Sequence, residues 1–535
     1  MTLVPVNINS QPGIKRDGTK FEGNFYVDGQ WVRFQRGLPR KIGGYRQITN
    51  FVEGVVNQFH LQSLNNFTFT HMGYGEGLQR MTIDETGSTS SLVSRAPTTY
   101  TGGPEFMWQF DALFDGSGSS TVLIAHATDA ATDISTGTDY PAYIGDIYTT
   151  APLTQIPTAG VSGGIVVLHP YLFMFSQNGF VKWSDANDPT NFTTGDAGNA
   201  FISSSKIVKG LPLRGGGQNP AGLLWTLDSL IRTYYTGGTD VFAFDTISSS
   251  SSIIAANGVI EYDGIYFWVG DGRFMMYNGV VREVPNNMNI NYFFDGLNQT
   301  YANKIFAYKV PRFGEIWWCY PRGDATECTH AVIYNFREQT WYDTELPNIG
   351  RSAGIYAGSL NRPILAGINP ISPGVPDIRI TEGGDTRVTE SEDIRVVNNG
   401  PDLYRIWQHE FGVDEIDGSA LNAIESYFET GDISLLTDNT PRSRSIHVEM
   451  IEPDFVQQGD MTAQITGRIN ARAPEVYGPL RTFPAVANEK YEQQVFFKEQ
   501  RRELRFRFSS NTVGGDYQMG QIIVHIEAAD GRYQS

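Results

Sequence analysis

Residues 264–284 read GIYFWVGDGRFMMYNGVVREV, and the fold is decided there. The segment divides into 265–269, a turn at Asp271-Gly272, 273–277, a turn at Asn278-Gly279, and 280–284. Asp-Gly and Asn-Gly are the dipeptides that accept positive φ at both central positions of a hairpin turn, which matches the twist of antiparallel strands. Three short strands in succession make a meander, three quarters of a four-stranded propeller blade.

Similar units recur along the chain. Residues 315–320 and 329–335 bracket Gly323-Asp324, and Gln339-Thr340-Trp341-Tyr342 resumes as a further strand. Residues 171–176 and 180–183 flank Asn178-Gly179 and lead into the loop SDANDPTNF. Weaker copies are 223–235 with Gly237-Gly238 and 241–244, then 67–84 and 121–147. Self-similarity at this spacing predicts radial repetition, in which each sheet buries its faces against its neighbours. The expected fold is all-β: a β-propeller of five or six blades over 51–367, with an additional β-rich platform domain from the termini. A sandwich followed by a barrel is the competing arrangement.

The 535-residue length exceeds what one hydrophobic core usually serves, so repeats or several domains are required. Aromatics make up 13% and charged residues only 18%, and 57 Gly and 26 Pro are spread along the chain. That mixture suits many short strands joined by tight turns. The fair helix candidates are 421–427 and 489–501. Three tandem octads, 377–384 (DIRITEGG), 385–392 (DTRVTESE) and 393–400 (DIRVVNNG), form a second repeat. They read as an insert at 368–402, a small projecting sheet or ribbon with Arg379, Arg387 and Arg395 on one face. Calcium on Asp377, Asp385 and Asp393 is the rival reading, but the spacing fits neither an EF-hand loop nor a nonapeptide repeat. From 403 to 535 the alternating strands indicate a separate C-terminal β-domain.

A formal charge of −18 argues against a chain that wraps nucleic acid with basic groups. Two local exceptions stand out. Residues 1–50 form a basic arm carrying Arg33, Arg36, Arg40 and Lys41, and the C-terminal domain carries Arg501, Arg502, Arg505 and Arg507. In the strand near 504, Phe506 and Phe508 share one face and Arg505 and Arg507 the other. Both basic groups are candidate assembly interfaces. The alternatives are a solvated arm or an arm facing nucleic acid for the first, and a salt-bridged sheet face or nucleic-acid binding for the second.

No catalytic, cofactor-binding or metal-ligating set emerges. The eight histidines are scattered without an H-E-x-x-H arrangement, and neither G-x-S-x-G nor G-x-x-x-x-G-K-[ST] occurs. The loop Gly210 to Gly222 (GLPLRGGGQNPAG) lacks the Lys-Ser/Thr of a phosphate loop. The 184–192 loop matches the Ser-x-Asp-x-Gly-x-x-Trp box of sialidases only vaguely, so its Asp and Asn side chains are expected to cap turns. Cys319 and Cys328 fit no zinc motif; they would face each other across a hairpin as buried thiols, with a disulfide as the alternative. The first 18 residues lack the apolar core of a signal peptide, and 165–175 is too short for a membrane helix, so synthesis and assembly in a cytoplasm without stable membrane insertion are expected.

Four segments together resemble podovirus tail nozzle proteins, a group related to packaged-DNA stabilisation and tail-hub proteins. They are WSDANDPTNF (183–192), AVIYNFREQTWYDTELP (331–347), VDGQWVRFQRGLPRKIGGYRQI (27–48) and FKEQRRELRFRFSSNTVGGDYQMGQIIVHIEAADGR (497–532). The resemblance covers aromatic packing and turn signatures rather than chemistry. It implies a structural virion protein of the tail: a homo-oligomeric ring, a hexamer, below a portal and its adaptor ring, with tail fibres docked outside. Packaged double-stranded DNA would be retained and later pass through the lumen without sequence-specific binding. Net acidity is compatible with a lumen that does not grip phosphates. A propeller glycosidase or depolymerase, and a host-receptor adhesin, stay open as other functions. Deleting residues 1–50 is expected to abolish ring docking in the first reading and to spare glycan binding in the others.

Overall fold

The computed structural model describes residues 4–8, 10–20, 24–114, 120–129, 140–157, 163–176, 178–214, 219–371, 377–378, 396–397, 402–434, 445–469, 472–485 and 494–529. Six four-stranded antiparallel sheets follow one another, each built from strands consecutive in sequence. Blade 1 begins at Val56–Leu64, blade 2 at Phe106–Phe114, blade 3 at Gly164–Leu168, blade 4 at Ile207–Pro212, blade 5 at Ile260–Tyr262 and blade 6 at Phe306–Val310. All six lie within the 51–367 interval where five or six blades were expected.

A seventh blade is composite. Arg351–Ala357 and Arg362–Ile371 pair in sequence, but the next strands are Leu403–His409 and then Tyr45–Val52. Glu415–Asp417 runs parallel to Tyr45–Val52 and carries Ala420–Asn422 on its other side. The sheet therefore draws strands from both sides of the divisions placed at 50/51 and 402/403. Ring closure follows from the cores. Trp108 and Leu78 pack between blades 1 and 2, Trp225 and Trp268 between blades 4 and 5, and Phe274 and Trp318 between blades 5 and 6. Ile48, Ile364 and Ile406 of blade 7 meet Val56, Phe59 and Met72 of blade 1, which completes the circle. Several indoles also stitch across the wedges: Trp108 Nε1 donates to the Tyr74 carbonyl at 2.9 Å, and Trp318 Nε1 to that of Gly258 at 2.9 Å. A buried indole that finds an acceptor supplies large apolar area without an orphaned donor.

The 264–284 segment forms three strands of blade 5, as read. Its turns differ from expectation. Gly270 pairs with Arg273 across Asp271-Gly272, yet only Gly272, φ +70°, is left-handed. At Asn278-Gly279 the left-handed residue is again the glycine, φ +102°. The turn with two positive φ values is Asp263-Gly264 (+51° and +80°), which joins the innermost strand Ile260–Tyr262 to Ile265–Gly270.

Both termini build one β-sandwich. In the first sheet Val32–Gln35, Leu38–Lys41, Asp516–Ala529, Ser445–Gln458 and Val495–Arg501 lie in that order, and Val4–Ile8 also pairs with Asp516–Ala529. The second sheet runs Gln11–Ile14, Phe25–Gln30, Ser426–Thr430, Glu503–Ser510 and Met461–Arg468, the last pairing with Val476–Tyr477 and Arg481–Phe483. Tyr26, Phe34, Phe428, Phe506, Phe508 and Tyr517 fill the space between them. Regions 421–427 and 489–501, the helix candidates, contain strands where described: Ala420–Asn422, Ser426–Thr430 and Val495–Arg501. The α-helix of the described residues is Ile290–Gly296. The octads lie outside the described residues except for Asp377–Ile378 of the first and Val396–Val397 of the third, which pair antiparallel.

Candidate functional site

The sandwich is fixed to blade 6 by charge. Arg16 Nε donates to both carboxylate oxygens of Asp343 at 3.0 and 3.1 Å, and Arg16 also pairs with Asp28. Asp17 accepts the backbone N–H groups of Asn291 and Tyr292, each at 2.8 Å. Trp31 N–H donates to Thr344 Oγ1 at 2.9 Å.

Three of the eight basic residues expected at an assembly surface, Arg33, Lys41 and Arg505, serve the interior instead. Arg33 is 1% exposed; its Nη2 donates to Glu315 at 3.2 Å and its Nη1 to Glu410 at 3.0 Å. Its guanidinium lies 3.7 Å from the Phe313 ring centroid. Lys41 is buried and donates to the Gly515 carbonyl at 2.7 Å. Arg505, 2% exposed, binds Glu429 at 2.8 Å, Asp432 at 3.3 Å and Glu475 at 2.6 Å, while Arg468 reaches Asp432 and Glu503. Arg33 and Arg505 are claimed by buried carboxylates and Lys41 by a backbone carbonyl, so none of the three is presented to an outside partner. The Glu475 carboxyl is held down to about 2, first by hydrogen bonds from Arg505 and further by Lys20. Among the others, Arg36 is exposed, Arg40 donates to Gln35 at 2.7 Å, and Arg501 pairs with Glu499 at 2.8 Å. Arg502 is half-buried, and Arg507 stacks over Tyr427 at 3.5 Å beside Glu425 and Glu429. The strand alternation of Arg505 and Arg507 against Phe506 and Phe508 is as read, but the arginine face is covered by carboxylates.

Along two of its edges the sandwich also exposes apolar side chains. Val495–Arg501 and the Val476–Tyr477 and Arg481–Phe483 pair are outermost strands of their sheets among the described residues, and the two edges adjoin. Tyr477 is 63% exposed, Leu480 59% and Phe496 42%. Open strand edges flanked by exposed apolar side chains are the features through which chains pair with other chains. The sequence signal was available in the alternation of Val495 and Phe497 inward with Phe496 outward.

Elsewhere the polar groups serve the fold. Asp185 accepts the N–H groups of Ala186 and Asp196, both at 2.9 Å, and Asp188 accepts from Thr190, so the 184–192 loop is turn-capping as read. Cys319 and Cys328 are free and buried. They are not cross-strand partners: the loop between Tyr320 and His330 is longer than two residues, and Cys319 faces Phe306 and Ala331. Among the described residues no three His, Cys, Asp or Glu side chains gather as a metal set.

His60 and His71 face each other across the first hairpin of blade 1, with Arg95 2.9 Å from His71 Nε2. His409 stacks on Tyr45 and accepts from Arg351 at 3.2 Å. Burial, with neighbouring cations adding to it, lowers the pKa of His71 and of His409 well below the usual imidazole range, and burial lowers that of His60 to about 4. Folded-state values below the unfolded one mean stability that is complete above about pH 6.5 and lost as pH falls towards the folded values. Each fully buried imidazole contributes a slope of about 1.4 kcal/mol per pH unit in that window. The urea midpoint is therefore expected to drop steadily from about pH 7 to about pH 5, where carboxylates are still largely ionised. A flat profile there would contradict neutral burial of these rings.

No family model matches the chain, and no curated protein does. Among solved structures it is similar to a chain of the "Crystal structure of Nidogen/Laminin Complex", at 10% identity and a TM-score of 0.30, over 53% of this chain and 95% of that one. The propeller assignment rests on the seven sheets and their closed ring.

Proposed function

We propose that the protein is a structural component of a short-tailed phage tail, a nozzle subunit that assembles into a homo-oligomeric ring below the adaptor, retains packaged DNA and conducts it at ejection. The observation that carries this reading is the terminal sandwich, which is anchored to the propeller by internal ion pairs and presents exposed apolar side chains on two sheet edges that are unpaired among the described residues. A surface of that kind serves a permanent neighbour better than a transient one. Three of the four segments that resemble nozzle proteins fall on the sandwich or on blade 6, against which it docks. The conduit in this reading is the lumen of the ring. The propeller's own axis is bridged, since Asn257 before blade 5 donates to the Asn57 carbonyl of blade 1 at 3.2 Å. A net charge of −18 favours sliding over gripping, because bulk acidity opposes binding to phosphates.

The test is electron microscopy of the purified protein mixed with its portal and adaptor rings. A six-fold ring with a central channel is expected, and Tyr477→Asp with Leu480→Asp should leave monomers that still melt cooperatively. Wild-type protein that stays monomeric with its adaptor, or that releases sugars from host surface polysaccharide, would overturn the reading.

A further inference from the structure

The inner strands of the propeller begin at one end of its axis, and there blades 1, 2, 6 and 7 leave a pocket open to the surface. Its walls differ in character. On one side Pro104, Phe106 and Met107 present apolar surface, and on the other Lys304 pairs with Glu327. Asn57, also at the wall, is committed to the fold: its amide donates to the Phe106 carbonyl at 2.7 Å and its oxygen accepts from Trp108 N–H at 3.1 Å.

Two groups have no such commitment. Glu105 is exposed at the mouth and makes no ion pair among the described residues. Ser352 is 6% exposed, lines the pocket, and its Oγ has no hydrogen-bond partner among the described residues. A buried hydroxyl without a partner costs about 1–3 kcal/mol, so a donor that enters the opening and reaches it would recover that cost.

The charges state what that is. Lys304 and Glu327 cancel, and Glu105 leaves the pocket with one net negative charge. Burial raises the Glu327 carboxyl above its usual range while Lys304 pulls it down, so a second cation would be welcome beside it. A metal ion is poorly served, because an ammonium group already occupies the wall and no third carboxylate or imidazole is near among the described residues. A guanidinium on a three-carbon stem suits each feature. Its N–H groups can divide between the Glu105 carboxylate, the spare lone pairs of Glu327 and the Ser352 oxygen, while the stem lies on Met107 and Pro104.

We propose that this axial pocket is a docking site for an arginine side chain of a partner protein, held between Glu105, Glu327 and Ser352. The site is separate from the sandwich rim and does not depend on the ring reading. An arginine seated in a pocket with an apolar wall is the type of anchor that concentrates binding energy at protein interfaces.

The test uses the full chain with ¹³C-methyl methionine and N-acetyl-arginine methylamide as probe. The Met107 methyl resonance, identified by its loss in Met107→Leu, should shift saturably. Glu105→Gln should weaken binding by roughly fivefold or more, and the uncharged citrulline analogue should bind more weakly still. Glu105 is exposed, so the Glu105→Gln thermal midpoint should match the wild type and exclude misfolding as the cause. Absence of a saturable shift, equal binding of the citrulline analogue, or indifference to Glu105→Gln would overturn the proposal. Tighter binding of putrescine than of the arginine derivative would also overturn it, by making the ligand a free diamine.

Discussion

A chain that lacks residues 1–52 is expected to yield no folded protein at all. This segment supplies strand Tyr45–Val52 of blade 7 and the sandwich strands Val4–Ile8, Gln11–Ile14, Phe25–Gln30, Val32–Gln35 and Leu38–Lys41. Ile14, Tyr26, Trp31, Val32, Phe34, Ile42, Tyr45, Ile48 and Val52 are all buried. Each such side chain contributes about 1.5–3 kcal/mol of burial, so together they supply about 14–27 kcal/mol, at least as much as the ~5–15 kcal/mol by which domains are stable. The loss is also topological. Without Tyr45–Val52, blade 7 exposes the edge of Leu403–His409 and the apolar faces of Ile364 and Ile406, and the second sheet of the sandwich loses two of its strands. The truncated chain should appear in the insoluble fraction, and any soluble portion should show no cooperative thermal transition. A soluble product with a sharp melt would show that the amino-terminal strands are accessory. Ile48→Ala, which removes one side chain and keeps every strand, should cost about 2–5 kcal/mol and leave a folded chain. Deleting the segment therefore cannot separate ring docking from glycan binding, as a solvated basic arm would have allowed.

The amino-terminal strands lie where local signals end, because their partners are distant in sequence. A hairpin is written in adjacent residues: alternating apolar positions and a glycine that takes the left-handed conformation at its turn. Hence blades 3 and 5 are legible from Asn178-Gly179, Asp271-Gly272 and Asn278-Gly279. Blade 7 pairs Tyr45–Val52 with Leu403–His409, and nothing near either strand encodes the other. The innermost strand of blade 5, Ile260–Tyr262, is three residues long, too short to display an alternation, and its local mark is the Asp263-Gly264 turn. Residues 489–501 contain many good helix formers, and composition outweighed the inward and outward alternation that Val495, Phe496 and Phe497 carry. The candidate site divides in the same way. Sequence displays the charge of Arg33 and Arg505 but not the carboxylates that claim them, since Glu315 is 282 positions from Arg33. One local clue existed: Arg33 sits between Trp31, Val32 and Phe34, all buried, in a strand covered on both faces. The apolar rim and the axial pocket belong to the fold as a whole, because their residues come from separate strands and blades.

Replacing Arg33 with Met is expected to cost about 3–5 kcal/mol at neutral pH, among the largest effects of any single substitution in the chain. The stem of the side chain is preserved, so the loss is electrostatic. Glu315 is 0% exposed and keeps only Trp317 Nε1, at 2.9 Å, and the Tyr342 hydroxyl, at 2.7 Å, as donors, while Glu410 at 15% exposure can turn to water. Burial already raises the Glu315 carboxyl above its usual range, and Arg33 is the cation that opposes this rise. Arg33 itself is lowered by burial, yet the two glutamates carry it above its ordinary value, so it stays charged throughout. In the Met variant the Glu315 value climbs further. A raised carboxyl value means that the folded state takes up a proton: the penalty is absent below the unfolded value, about pH 4.3, and complete once the pH exceeds the folded value. The gap between wild type and variant should therefore narrow as the pH falls into the carboxylate range, and urea unfolding at several pH values would measure it. Arg33→Met combined with Glu315→Gln should recover about 1–3 kcal/mol at neutral pH, because the buried charge is then removed along with its partner. A pH-independent gap, or no recovery in the double variant, would mean that the cost lies in lost contacts with Phe313 rather than in an orphaned carboxylate.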